Sequence, residues 1–163
     1  MARIFISLGS NVDAAFHIRA GIAALRTQFG ELVLSSVFES EAVGFDGSNF
    51  LNMVAVAETQ LDIANVVAIF KQIERDHGRS AGSKKFSPRT LDLDLLLYDD
   101  AVCEEPAQLP RAEIITNAFV LWPLSEVAPE LVHPIVKRSY QQLWDDYDKC
   151  SQRLWPVEFN ESF

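Results

Sequence analysis

The segment from Thr90 to Tyr98, T-L-D-L-D-L-L-L-Y, constrains the fold more than any other stretch of the chain. Its alternation of acid and leucine marks a strand, bounded by Pro88 before it and Asp99-Asp100 after it. In such a strand Asp92 and Asp94 point to one face while Leu91, Leu93 and Leu95 point to the other. One side must therefore meet a core. On the other side, carboxylates two residues apart lie about 7 Å from each other and repel by roughly 2 kcal/mol at an effective dielectric of about 20, so a cation belongs between them. Magnesium in phosphate chemistry takes one or two carboxylates plus substrate phosphates, and two ions sharing the pair are also compatible. A D-x-D pair by itself is more often simply a solvated strand face.

The residues just upstream favour the metal. Lys71, Arg75, Arg79, Lys84, Lys85 and Arg89 put six of the fourteen basic side chains between positions 71 and 89, although the formal net charge is -9. Phosphoryl transfer is mostly positioning and charge stabilisation, with metal on one side of a polyphosphate and Arg or Lys on the other. In the loop from Arg79 to Arg89, Ser80, Gly82, Ser83 and Ser87 have little to bury, which suits a mobile cover over ATP. The plainer alternative is an exposed charged loop balancing Glu74 and Asp76.

The acidic total opposes nonspecific attraction to nucleic acid or anionic lipid. No apolar run approaches the roughly 18 residues that span a bilayer, and the first residues do not read as a signal peptide, so a cytoplasmic protein is expected. Cys103 and Cys150 lack metal-ligand spacing and read as ordinary thiols. A length of 163 residues with 48% hydrophobic residues suits one domain over residues 1–163.

Hydrophobic periodicity predicts strands over Arg3–Leu8, Glu31–Phe38, Phe50–Thr59 and Thr90–Tyr98. Helices are expected from Asp13 to about Gln28, with Gly30 as the stop, and around Ile63, Val66, Val67, Phe70 and Ile73, with Gly78 as the cap. Glu39–Asn49 reads as a loop, and Val102–Pro110 as a short edge hairpin limited by its prolines. A helix is expected from Thr116-Asn117 through Leu121 or slightly later, stopped near Pro123 and Pro129, and Ser139 to about Cys150 is amphipathic and aromatic, able to cap the core. The order strand, helix, strand, strand, helix, strand is the split βαβ arrangement of a ferredoxin-like α+β domain. Among the remaining residues, Asn52 suits reading the edge of a heterocycle, and Phe50, Phe86 and Phe119 suit stacking on a flat ring. A buried Asn tied to backbone, and aromatics serving only as core, are common alternatives. His17, His77 and His133 are scattered and receive no role.

The run F-S-P-R-T-L-D-L-D-L-L-L-Y (Phe86 to Tyr98) closely resembles the signature of the 6-hydroxymethyl-7,8-dihydropterin pyrophosphokinase family. The likeness continues through I-S-L-G-S-N (Ile6 to Asn11), G-x-x-x-x-x-F-L-N (Gly44 to Asn52), I-E-R-D-H-G-R (Ile73 to Arg79) and F-V-L-W-P-L (Phe119 to Leu124). The resemblance implies transfer of pyrophosphate from ATP to the hydroxymethyl oxygen of the reduced pterin, with release of AMP. It implies two magnesium ions on Asp92 and Asp94, ATP phosphates met by Arg79 and Arg89, and an ATP site lined by Glu74, Lys85, Leu95 and Arg111. The pterin would lie among Val43, Gly44, Phe50, Asn52, Phe86 and Phe119. The implied fold is an α/β/α sandwich with a mostly antiparallel sheet and helices on both faces.

The sequence also departs from the family pattern. Ser40 and Ala42 stand where Thr and Pro are usual, and Phe86-Ser87 stands where Trp-Gly is usual. Ala81 and Asn117 occupy positions that usually carry Arg, and Arg111 one that usually carries His. Cations are thus missing at positions 81 and 117, and Arg111 replaces only one. These changes leave open a paralogue with weak activity or a modified pterin, and a non-catalytic binding module.

Overall fold

A computed structural model of the chain describes residues 1–41, 49–77, 90–150 and 152–159. In chain order the elements are β1 (Ala2–Ser10), α1 (Ala14–Phe29), β2 (Val33–Leu34), β3 (Val37–Ser40), β4 (Phe50–Thr59), α2 (Ile63–Asp76) and β5 (Asp92–Tyr98). They are followed by α3 (Glu113–Thr116), α4 (Ala118–Val127), α5 (Tyr140–Asp146) and β6 (Leu154–Val157). The strands form one sheet in the order β5-β1-β4-β3-β6, with β2 also on β4, and every pairing is antiparallel. With β1 inside and α1 and α2 as the crossovers, this is the expected ferredoxin-like split βαβ core.

Strand alternation gives each face its own core. Ile4, Ile6, Leu8, Met53, Ala55, Leu91, Leu93 and Leu95 pack with Ile18, Ile22 and Leu25 of α1 and Val66, Phe70 and Ile73 of α2. Phe5, Val54, Leu96 and Leu97 pack with Val120, Leu121 and Leu124 of α4 and Tyr140 and Trp144 of α5. α1 approaches the sheet closely because Gly21 has no side chain: a Cβ there would stand 3.2 Å from the Leu91 methyls. α2 starts on Asp62, whose carboxylate accepts the Asn65 N–H at 2.9 Å.

The three consecutive leucines of β5 are explained by a bulge. Ile6 pairs with Leu95 and Phe5 with Leu97, so Leu96 is the extra residue and the strand changes phase there. Leu95 consequently faces α1 and α2, whereas Leu96 and Leu97 face α4 and α5.

Several expectations are refined by the structure. Glu31–Phe38 is not one strand: Ser35 exchanges bonds with Val54 through its own hydroxyl as well as its N–H, each at 2.9 Å, and this separates β2 from β3. α4 runs past Pro123, which has no N–H to give the Phe119 carbonyl, and ends at Val127, two residues before Pro129. Asn117 is the N-cap of α4, in keeping with a helix start at Thr116-Asn117, and the short α3 ends directly before it. β6 was not foreseen: it pairs with β3 as the outer strand, where Pro156 is tolerated at an edge. The Val102–Pro110 hairpin is a single bridge, Cys103 to Leu109.

Candidate active site

The face of the sheet under α3 to α5 is apolar at one end and polar at the other. Across the polar end, Asp92 of β5 pairs with Gly9 of β1, and Gly9 pairs with Asn52 of β4. One step along, Asp94 pairs with Ser7. Directly paired residues share a face, so both carboxylates and the Asn52 amide emerge on the same side of the sheet. The backbones of β5 and β4 stand two strand spacings apart, about 10 Å.

Each polar group is fixed by its neighbours. Asn52 is buried, and its Nδ2 donates to the Ser40 hydroxyl at 3.0 Å on the next strand. Its Oδ1 reaches over β1, where a Cβ on Gly9 would stand only 3.0 Å from it. Gly9 thus clears the space between the amide and the carboxylates. Beneath the acids, Glu74 of α2 is buried and its Oε2 accepts the N–H of Leu93 at 2.9 Å, which satisfies the outer edge of β5 between Asp92 and Asp94. At the far end of β1, the Ser10 hydroxyl donates to the Thr90 carbonyl and ties the two strand ends together.

Among the described residues, Arg111 is a positive partner of Asp94. Its backbone N–H bonds the Leu96 carbonyl at 3.0 Å, and its guanidinium lies 3.4 Å from Asp94 Oδ1 and 2.9 Å from Glu113 Oε2. Both Asp94 and Arg111 remain partly exposed, so the pair orients groups more than it stabilises the fold.

Asp92, Asp94, Glu74, Arg111 and Asn52 are therefore brought together. Phe50 lies two residues before Asn52 on the same strand face, and Phe119 is the second residue of α4; both are partly buried. Leu95 is different: its side chain is 4% exposed in the α1–α2 core, so only its backbone is open to a ligand on the acidic face. Val43, Gly44, Arg79, Lys85, Phe86 and Arg89 lie outside the described residues. Gly9 and Ser40 escaped sequence reasoning as functional positions. The signal for Gly9 was a glycine at the end of an otherwise bulky strand.

The donor set fits magnesium. Two carboxylates on one strand face are hard oxygen ligands, and among the described residues no group of three or more His, Cys, Asp or Glu side chains encloses an ion. Such a site is completed by phosphate oxygens and water, which is how magnesium is held in phosphate chemistry. Among the described residues no helix is long and apolar enough to cross a membrane.

Residues 5–129 match the family model described as 7,8-dihydro-6-hydroxymethylpterin-pyrophosphokinase. The chain is 34% identical to the 2-amino-4-hydroxy-6-hydroxymethyldihydropteridine pyrophosphokinase of Aquifex aeolicus, over 87% of this chain and 90% of that one. It is 36% identical to the protein of the same name from Porphyromonas gingivalis, over 82% of this chain and 95% of that one. It is also 33% identical to the folic acid synthesis protein fol1 of Schizosaccharomyces pombe, over 93% of this chain but only 21% of that longer protein. Among solved structures, the Plasmodium falciparum HPPK-DHPS wild type with pterin and p-hydroxybenzoate superposes with a TM-score of 0.75 at 13% identity. That match covers 90% of this chain and 43% of the other, and at such identity it speaks for the fold alone.

Proposed function

The chain belongs to the 7,8-dihydro-6-hydroxymethylpterin-pyrophosphokinase family, and we infer that it works through the polar row Asp92–Gly9–Asn52. It is a pyrophosphokinase, transferring pyrophosphate from ATP to the hydroxymethyl group of the dihydropterin in folate biosynthesis. The observation that supports this placement of the reaction is the register. It sets a carboxylate pair and a buried amide about 10 Å apart on one face, room for a flat bicyclic ring on one side and a polyphosphate on the other.

In this reading the Asn52 Oδ1 accepts from the ring N–H groups, with Ser40 holding the amide in that orientation. Phe50 and Phe119, with Phe86, flank the ring, and Val43 and Gly44 complete its pocket. Asp92 and Asp94 would hold the magnesium that accompanies ATP, as two ions, and the charge it would supply there offsets that of the phosphates. Arg111 hands its charge from Asp94 to the polyphosphate as ATP arrives, alongside Arg79, Lys85 and Arg89. Glu74 and Leu95 shape the ATP site from below, Glu74 by fixing the β5 edge. The hydroxymethyl oxygen of the pterin attacks the β-phosphorus, the bond from that phosphorus to the oxygen of the α-phosphate breaks, and AMP leaves. The protein contributes position and charge rather than covalent chemistry.

The partners are small molecules, ATP and the reduced pterin, and we place the reaction in the cytoplasm, where free thiols such as Cys103 and Cys150 persist. Release of AMP from ATP, dependent on both magnesium and the reduced pterin, tests the whole reading. Turnover that survives in Asp92→Ala and Asp94→Ala would place the metal elsewhere.

A further inference from the structure

The C-terminal residues past 129 lie outside the family match, yet one of them bonds the first turn of α4. α4 carries Phe119 in its first turn, and its N-cap residue, Asn117, makes no side-chain capping bond. The N–H of Ala118 needs an acceptor, because the first amides of a helix have none within it and Ala118 is fully buried. That acceptor is Gln152, whose Oε1 receives the Ala118 N–H at 2.7 Å. The other end of the same amide donates weakly, at 3.4 Å to Asn117 Oδ1 and 3.5 Å to the Thr116 carbonyl. Gln152 is itself held in place by the chain that follows, since β6 is hydrogen-bonded to β3 beside Ser40.

We propose that Gln152 is a positioning residue for the pterin: it caps α4 from outside the helix and so sets the depth and angle at which Phe119 meets the ring. The proposal rests on the reading that Phe119 lines the pterin pocket. α4 packs on β4 and β3, the strands that carry Asn52 and Ser40, so a shift at its first turn changes the gap between Phe119 and the sheet. The acids are anchored separately on β5, where the Leu93 amide is fixed by Glu74, and are spared by such a shift. The effect of losing the cap is therefore selective for one substrate.

Steady-state KM for 6-hydroxymethyl-7,8-dihydropterin and for magnesium-ATP, with the melting temperature, tests this in Gln152→Met, Gln152→Glu, Phe119→Ala and the Gln152→Met/Phe119→Ala double variant. Gln152→Met keeps the shape and removes the acceptor, and it is expected to raise the pterin KM about tenfold, with less than about a twofold change for ATP. Gln152→Glu keeps an acceptor and should bring the pterin KM back to within about threefold of the parent. In the Phe119→Ala background the Gln152→Met penalty should vanish, as for two residues acting through one contact. If Gln152→Met does not fold, Gln152→Asn, which withdraws the acceptor by one carbon, carries the same test. Equal rises in both KM values, or a lower melting temperature with both KM values unchanged, would make Gln152 a purely structural cap and overturn the proposal. A large pterin effect in Phe119→Ala with none in Gln152→Met overturns it and leaves the pocket standing. No pterin effect in Phe119→Ala removes both.

Discussion

The two faces of the sheet are built from the same strands and end differently. Toward α1 and α2, apolar side chains run to the ends of the strands: Leu8, Met53, Leu91 and Leu93 are all at most 4% exposed. Toward α4 and α5, Phe5, Val54 and Leu97 fill only one end, and beyond them come Ser7, Gly9, Asn52, Asp92 and Asp94. Because neighbours along a strand alternate sides, each residue of this polar row has an apolar neighbour anchored in the closed core behind it. The lesson is that rigidity and chemistry are divided between faces, so a group can be precisely held without being buried.

The sharpest way to break this comparison is to substitute adjacent residues of β5. Asp94→Ala should lower kcat by about three orders of magnitude, through lost charge stabilisation, with little change in melting temperature. Leu93→Ala, one position earlier and on the other face, should cost about 2 to 5 kcal/mol in urea unfolding while the folded fraction still turns over. Should Asp94→Ala unfold the protein, or Leu93→Ala abolish turnover in folded molecules, the division between faces is wrong. Gly9→Ala places a methyl 3.0 Å from Asn52 Oδ1 and should raise the pterin KM about tenfold, read in the same assay.

Glu74 links the faces, reaching from α2 to the β5 edge between the two acids. Glu74→Ala leaves the Leu93 N–H without its acceptor and should cost about 1 to 3 kcal/mol by urea titration, whereas Glu74→Gln, whose amide oxygen still accepts, should cost clearly less. The smallest expected effect belongs to His133, near α5. Its Nδ1 accepts from the N–H groups of Ile135 and Val136, each at 3.1 Å, and burial lowers its pKa below the ordinary 6.5. The neutral ring is the one the fold uses, so the unfolded chain takes up the proton first as pH falls below about 6.5 and stability declines there. His133→Asn should flatten melting temperature against pH between neutrality and pH 5; an unchanged slope would mean His133 does not titrate on unfolding.

Much of this is legible in the amino-acid sequence. The alternating acids and leucines of residues 90–98 dictate a strand with unlike faces, and two helical periods between four strands dictate the split βαβ order. These are local properties: side-chain period and turn chemistry depend on near neighbours. The same locality explains the misreadings. Nothing near Ser35 announces that its hydroxyl will replace a ladder bond to Val54, and nothing near residues 154–157 announces that β3 needs an outer partner.

Register and long-range capping belong to the tertiary structure alone. Sequence places Asp92 and Asp94 on one face of one strand, but only the pairing of β5 with β1 and of β1 with β4 puts Gly9 between them and Asn52. Sequence marks Arg111 and Glu74 as charged; only packing sets one on Asp94 and the other on the Leu93 amide. The physical reason is that the free energy choosing a register comes from burying both faces at once, a quantity spread over the whole sheet and carried by no single segment.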